Sequence, residues 1–200
     1  MGARVTVTAT AVTGSVSIDA FKQAMRRLAA GVTIVTTKHG EVRGGLTATA
    51  VCSLSVDPPQ LLVCVNRSAA AHELIHEGEN LCVNLLAHKH QALAARFAGQ
   101  AGVAGADRFQ AGRWITLKTG APVLEDALAS FDCIVTEKVV SSTHTIFIGR
   151  VVEVRSRTNG KPLLYAQGAY AIAKALAARR KRRAAALRRV KAASKLRKRA

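Results

Sequence analysis

The chain has 200 residues, 49% of them hydrophobic and only 4% aromatic, which suits one domain built on an aliphatic core of Val, Leu, Ile and Ala. Its formal net charge of +18 is concentrated at one end: residues 171–200 hold thirteen of the thirty Lys and Arg and no acid, leaving seventeen basic and twelve acidic residues, a net +5, in the first 170. The charge therefore describes a tail and excludes reading the whole domain as a polyanion binder, and no apolar run reaches the ~18 residues that a membrane-spanning helix needs.

Residues 1–17 mix Val, Thr and Ala without the basic start and continuous apolar run of a secretory signal, and read as a loose arm. Ser17 can cap a helix over about 20–30, with Phe21, Met25 and Leu28 on one face. The β-branched run at 32–37 predicts a strand, and Lys38-His39-Gly40 a turn. A second strand is expected from about 46 to 56, stopped by Asp57-Pro58-Pro59, and a third over 60–65. A short helix over about 69–76, a strand over 80–86 and a helix over 88–98 follow, and then a glycine-rich loop to 112. The second half reads as strands at 114–117, 129–139, 144–154 and 162–167. Seven or so strands, few helices and no regular β–α alternation predict a mainly β barrel in place of a doubly wound sheet. The expected organisation is an arm (1–17), a domain (18–170) and a basic Ala/Lys/Arg-rich tail (171–200). That tail is either solvated or in contact with a polyanion such as nucleic acid or an anionic membrane.

Four cysteines, Cys52, Cys64, Cys82 and Cys133, lie far apart in apolar runs and form no Cys-x-x-Cys pair. They are expected to be buried free thiols, which implies a cytoplasmic, reducing location. Gly99-x-x-Gly102-x-x-Gly105 has the wrong spacing for a dinucleotide fingerprint. His72-Glu73-Leu74-Ile75-His76 matches the zinc-hydrolase pattern by letters, two imidazoles on one helical face with a Glu as base. Its helix is short and no third ligand follows at a suitable spacing, so a solvated polar helix face is the expectation and a zinc hydrolase the rival. His88 and His90, two residues apart, point away from each other on a helix and are expected to be exposed.

Two stretches invite a polar explanation. Residues 47–55 alternate small hydroxyl and small apolar side chains, so a flat ligand could approach the backbone, with hydroxyls at Thr47, Thr49 and Ser53 adding directional bonds. A half-exposed strand with its Thr side chains outward explains the pattern equally. Residues 65–70 take a strand through Asn66-Arg67-Ser68 into a helix, a phosphate-type site in which Ser68 could cap and Arg67 adds charge.

In order along the chain stand GVTIVTT (31–37), LTATAVCSLS (46–55), DPP (57–59), LVCVNRSA (62–69), LCVNLL (81–86), FAG (97–99), Arg108-Phe109 with Trp114, LASFDC (128–133) and Thr143-His144. This series, over about residues 21–170, resembles the short-chain flavin reductases, the split-barrel reductase components of two-component flavin monooxygenases. The resemblance implies a split β-barrel, a homodimer, and hydride transfer from NADH or NADPH to FMN or FAD, with the reduced flavin passed to an oxygenase component. It implies that Thr47, Ala48, Thr49, Ala50, Cys52 and Ser53 lie along the flavin ring and ribityl chain. Asn66, Arg67, Ser68 and Ala69 would hold the flavin phosphate, and Phe97 would wall the flavin. His144 would sit by the nicotinamide as the catalytic histidine. The family's glycine two residues before this histidine is Ser142 here. A split barrel that binds flavin without fast turnover is the alternative.

Overall fold

The structure, a computed structural model, describes residues 14–174. Helix α1 (Ile18–Met25) starts where Ser17 accepts the Ala20 N–H at 3.2 Å. Strands β1 (Ala30–Gly31) and β2 (Thr33–His39) follow, and then β3 (Val42–Ala48), β4 (Val51–Val56) and β5 (Pro59–Asn66). Next come α2 (Ala71–Gly78), β6 (Asn80–Leu85) and α3 (Gln91–Phe97), the last entered through a 3-10 turn at His88–His90. Strands β7 (Trp114–Thr116), β8 (Pro122–Leu124), β9 (Ala129–Ser141), β10 (His144–Ser156), β11 (Leu163–Ala166) and β12 (Ala169–Ile172) complete the elements of the described residues. Among these residues no helix is long and apolar enough to cross a membrane. β12 carries the folded unit past the expected boundary at 170, and residues 1–13 and 175–200, which hold most of the arm and tail, lie outside the described part.

The single strand expected over 46–56 is two strands, and that break explains the architecture. Seven strands form one sheet in the order β3-β2-β6-β9-β10-β5-β4. β3 and β4 therefore stand at opposite edges, yet only Thr49 and Ala50 join them. Such a link reaches about 11 Å at most, whereas seven flat strands would span about 29 Å. The sheet must curl until its edges nearly meet, leaving a barrel split between β3 and β4. The Ala50 carbonyl seats the crossing by accepting the Cys64 N–H at 3.0 Å.

Inside the barrel pack Val35, Val63, Val65, Leu81, Val83, Val135 and one aromatic ring, Phe147, in keeping with the aliphatic composition. A second core lies outside β2, where α3 and the 105–127 segment cover Val32 and Ile34 with Leu93, Phe97, Phe109, Leu124 and Trp114. Here Phe97, Phe109 and Trp114 sit ring to ring, with centroids 5.0–5.4 Å apart. Gly45 makes this possible: a Cβ on it would lie 2.9 Å from the Phe97 ring. β1, β11 and β12 form a small separate sheet beside the mouth of the barrel.

Candidate active site at the mouth of the split barrel

Three connections converge at one end of the barrel: the β3–β4 crossing, the β5–α2 turn and the β9–β10 hairpin tip. Register places His144 directly opposite Asn66, and the Arg67 N–H donates to the Thr143 carbonyl at 2.9 Å, so turn and hairpin tip are tied together. Asn66 organises the turn. Its Oδ1 accepts both the N–H and the hydroxyl of Ser68, each at 2.9 Å, and its carbonyl accepts the Ala69 N–H at 2.9 Å. Ser68 is therefore not a helix cap; the N-cap of α2 is Ala70, whose side chain caps nothing. The backbone donors of Arg67, Ser68 and Ala69 and the Ser68 hydroxyl proton are already used, so the turn offers an anion the exposed Arg67 guanidinium. The one arginine ion pair among the described residues is Arg113–Glu125, which leaves Arg67 available.

His144 is exposed, and its Nδ1 contacts Thr143 Oγ1 at 2.8 Å, leaving Nε2 open to a ligand. Ser142, in the family's glycine position, has φ +49°, the left-handed conformation that glycine adopts without strain. The serine keeps the glycine-like backbone, and the hairpin tip reaches the turn.

On the other side of the mouth, Thr49 and Ala50 are exposed, Thr47 is half-buried and Ala48 is buried. The Thr47 hydroxyl donates to the Ala94 carbonyl at 2.7 Å, anchoring β3 to α3. Cys52 and Ser53 are exposed further along the edge strand β4, opposite Leu62 and Leu61. Cys52 corrects the expectation of four buried thiols, and Cys64 is half-buried. Only Cys82 and Cys133 are deep, and burial pushes the Cys133 thiol up to about 12 and that of Cys82 well above the ordinary range. Phe97 does not wall this mouth with its side chain: it is 1% exposed, held over Gly45 within the second core. The structure thus brings Asn66, Arg67, Ser68, Ala69 and His144 together where the turn meets the hairpin tip, with Ala50 bonded to Cys64 of β5 nearby, whereas Cys52 and Ser53 line a cavity of about 310 Å³ with Leu85, Phe131 and Val154.

Sequence reasoning missed one wall. Both tyrosines of the chain, Tyr165 and Tyr170, line a cavity of about 210 Å³ together with Val32, Gln100 and the Thr47–Thr49 backbone. The signal available was an aromatic pair flanking Gly168, a hairpin hidden in an apolar run.

The zinc reading fails on geometry. His72 is buried, the reverse of a solvated helix face: its Nε2 bonds Thr145 Oγ1 at 2.8 Å, its Nδ1 bonds Glu73 at 2.8 Å, and its ring packs against Phe147. With both nitrogens engaged, it has none to offer a metal. His90 is likewise buried, not exposed, because Nδ1 accepts the Ala87 N–H at 3.2 Å and Nε2 lies 3.1 Å from Asp126. His90 and Asp126 line a cleft of about 960 Å³ that holds none of the expected site residues. Its Lys89 and Arg113 are paired with Asp126 and Glu125, while Arg155 and Arg157 also line it.

Residues 25–174 match the flavin reductase like domain. The chain belongs to this family. A curated relative, FMN reductase (NADH) RutF of Agrobacterium fabrum (strain C58), is 44% identical over 156 residues, covering 78% of this chain and 88% of that protein. Among solved structures, flavin reductase PheA2 superposes with a TM-score of 0.73 at 32% identity, covering 80% of this chain and all of that one. BorF, the flavin reductase component of a bacterial two-component tryptophan halogenase, gives 0.73 at 29% identity with the same coverage. For this flavin reductase-like chain, the described fold is thus a mainly β barrel shared with known flavin reductases, as the sequence predicts.

Proposed function

We propose that this protein is an NADH-dependent FMN reductase whose product, reduced flavin, serves a partner oxygenase. The relation to RutF, extending over 88% of that protein, carries the reading, and the two-component character of BorF supports the oxygenase partner. The residues present fit a flavin. Thr49 and Ala50 are exposed with little side-chain bulk, and the Arg67 guanidinium stands at the β5–α2 turn for the terminal phosphate, with Ser68 bracing that turn through Asn66. His144, opposite Asn66, places its open Nε2 for the nicotinamide or its phosphates. The redox chemistry belongs to the two substrates, as hydride passes from the nicotinamide to the flavin. The protein's part is to align them and exclude water.

The active form is a homodimer. Ile18, Phe21, Met25 and Leu28 on and just after α1 are 47–72% exposed, as are Val139 and Val140 near the β9–β10 tip at 45% and 64%. These apolar faces border the mouth, and a second copy would bury them. Sedimentation of the full chain decides its state, a single monomeric species contradicting the dimer.

Steady-state NADH oxidation tests the function. It should depend on added FMN and survive a zinc chelator. Saturable FMN binding without NADH oxidation would favour the binding-only alternative.

A further inference from the structure

We propose that Tyr165 and Tyr170 form the aromatic wall of the flavin site, stacking the flavin ring against the Thr47–Thr49 backbone. This rests on the reading that 47–53 lies along the flavin. β11 and β12 pair so that Tyr165 and Tyr170 stand directly opposite each other, and their rings meet edge to face with centroids 5.5 Å apart. A cross-strand aromatic pair places both rings on one face of the hairpin. That face looks into the cavity of about 210 Å³ shared with Thr47, Ala48 and Thr49.

The pair is held from outside the hairpin as well. Tyr165 is in register with Ala30 of β1, and the Gln167 N–H donates to the Arg26 carbonyl at 2.6 Å. A wall fixed at both ends loses little freedom on receiving a flat ligand. Among the described residues no hydrogen bond engages either phenol. Burial and the neighbouring Tyr165 push the Tyr170 hydroxyl above its ordinary range, so it stays a neutral donor through physiological pH. The cavity joins the two aromatic rings to the small side chains of Thr47, Ala48, Thr49 and Ala98, with Val32 and Gln100, a lining that suits a planar heteroaromatic with polar edges.

The test uses FMN and the full chain. An electron-rich phenol in contact with a flavin quenches its emission by electron transfer, and a phenyl ring does so far less. FMN bound to the native protein should therefore be dark, and the Tyr165→Phe/Tyr170→Phe double variant, which keeps the ring packing, should bind FMN and brighten it several-fold. Tyr165→Ala and Tyr170→Ala should each weaken FMN binding roughly 5–10-fold, the usual yield of one stacked ring. Either result supports the wall. Unchanged FMN affinity in both alanine variants, with unchanged emission in the double variant, overturns it, and a raised KM for NADH alone would then assign the rings to the dinucleotide. Failure of the native protein to bind FMN at all would instead remove the flavin reading itself.

Discussion

Arg67, just past the Asn66–His144 pair, and His144 are neighbours at the end of the β5–β10 pairing but are asked to recognise different molecules. Arg67→Ala should weaken FMN binding roughly 10–100-fold, the yield of a hydrogen bond to a charged group, and leave riboflavin, which has no phosphate, unaffected. His144→Ala should raise the KM for NADH by a similar factor while FMN affinity holds. Calorimetric titration with the two flavins, beside initial rates, separates these effects; equal losses for FMN and riboflavin would take the phosphate away from Arg67. Ser142 carries a backbone cost instead. At φ +49° a serine is strained by about 1 kcal/mol, so Ser142→Gly should raise Tm by a few degrees, with a lowered Tm showing that the serine side chain earns its place.

At the scale of elements, the strands that proved easiest to read were those whose β-branched alternation is local. β2, β6, β9 and β10 lie within a few residues of their expected bounds. What failed depends on partners far away in the chain. His72 reads as a surface residue until Thr145, 73 positions on, supplies its hydrogen bond inside the protein. Phe97 reads as a wall of the ligand site until Gly45, Phe109 and Trp114 enclose it. Asp126 joins the 3-10 turn before α3 to the segment after β8. Burial pushes its carboxyl up, but hydrogen bonds from Lys89 and His90 outweigh this and hold it down to about 2. A carboxyl depressed in the folded state stabilises above its unfolded value of about 4 and loses that stabilisation as pH falls toward 2. Urea midpoints should therefore drop between about pH 4 and pH 2, and less steeply in Asp126→Asn. Parallel profiles would mean that Asp126 is not held in this way.

For the whole molecule, composition and element count were enough to predict a mainly β barrel, and the ordered motifs to point to the family. The closure was not legible. Thr49-Ala50 carries no glycine or proline to mark a break, and only the seven-strand order shows that the chain crosses there from one sheet edge to the other. β12 runs past residue 170 for a related reason: the pairing of Ala171 and Ile172 with Leu164 and Leu163 is invisible without the partner strand. A chain ending at Lys174 should thus fold and keep flavin reduction, whereas one ending at Tyr170 loses those pairs and loosens the tyrosine wall. Circular dichroism and NADH oxidation on both truncations check this, and inactivity of a folded 1–174 chain would make the basic tail part of the active site. The central claim is that the barrel mouth delivers hydride from NADH to FMN, and the most direct measurement is the flavin absorbance of the full-length protein mixed anaerobically with FMN and NADH. The expected result is bleaching of FMN with one NADH consumed per flavin, at a rate proportional to protein; an unbleached flavin, or a rate no faster than without protein, would contradict it.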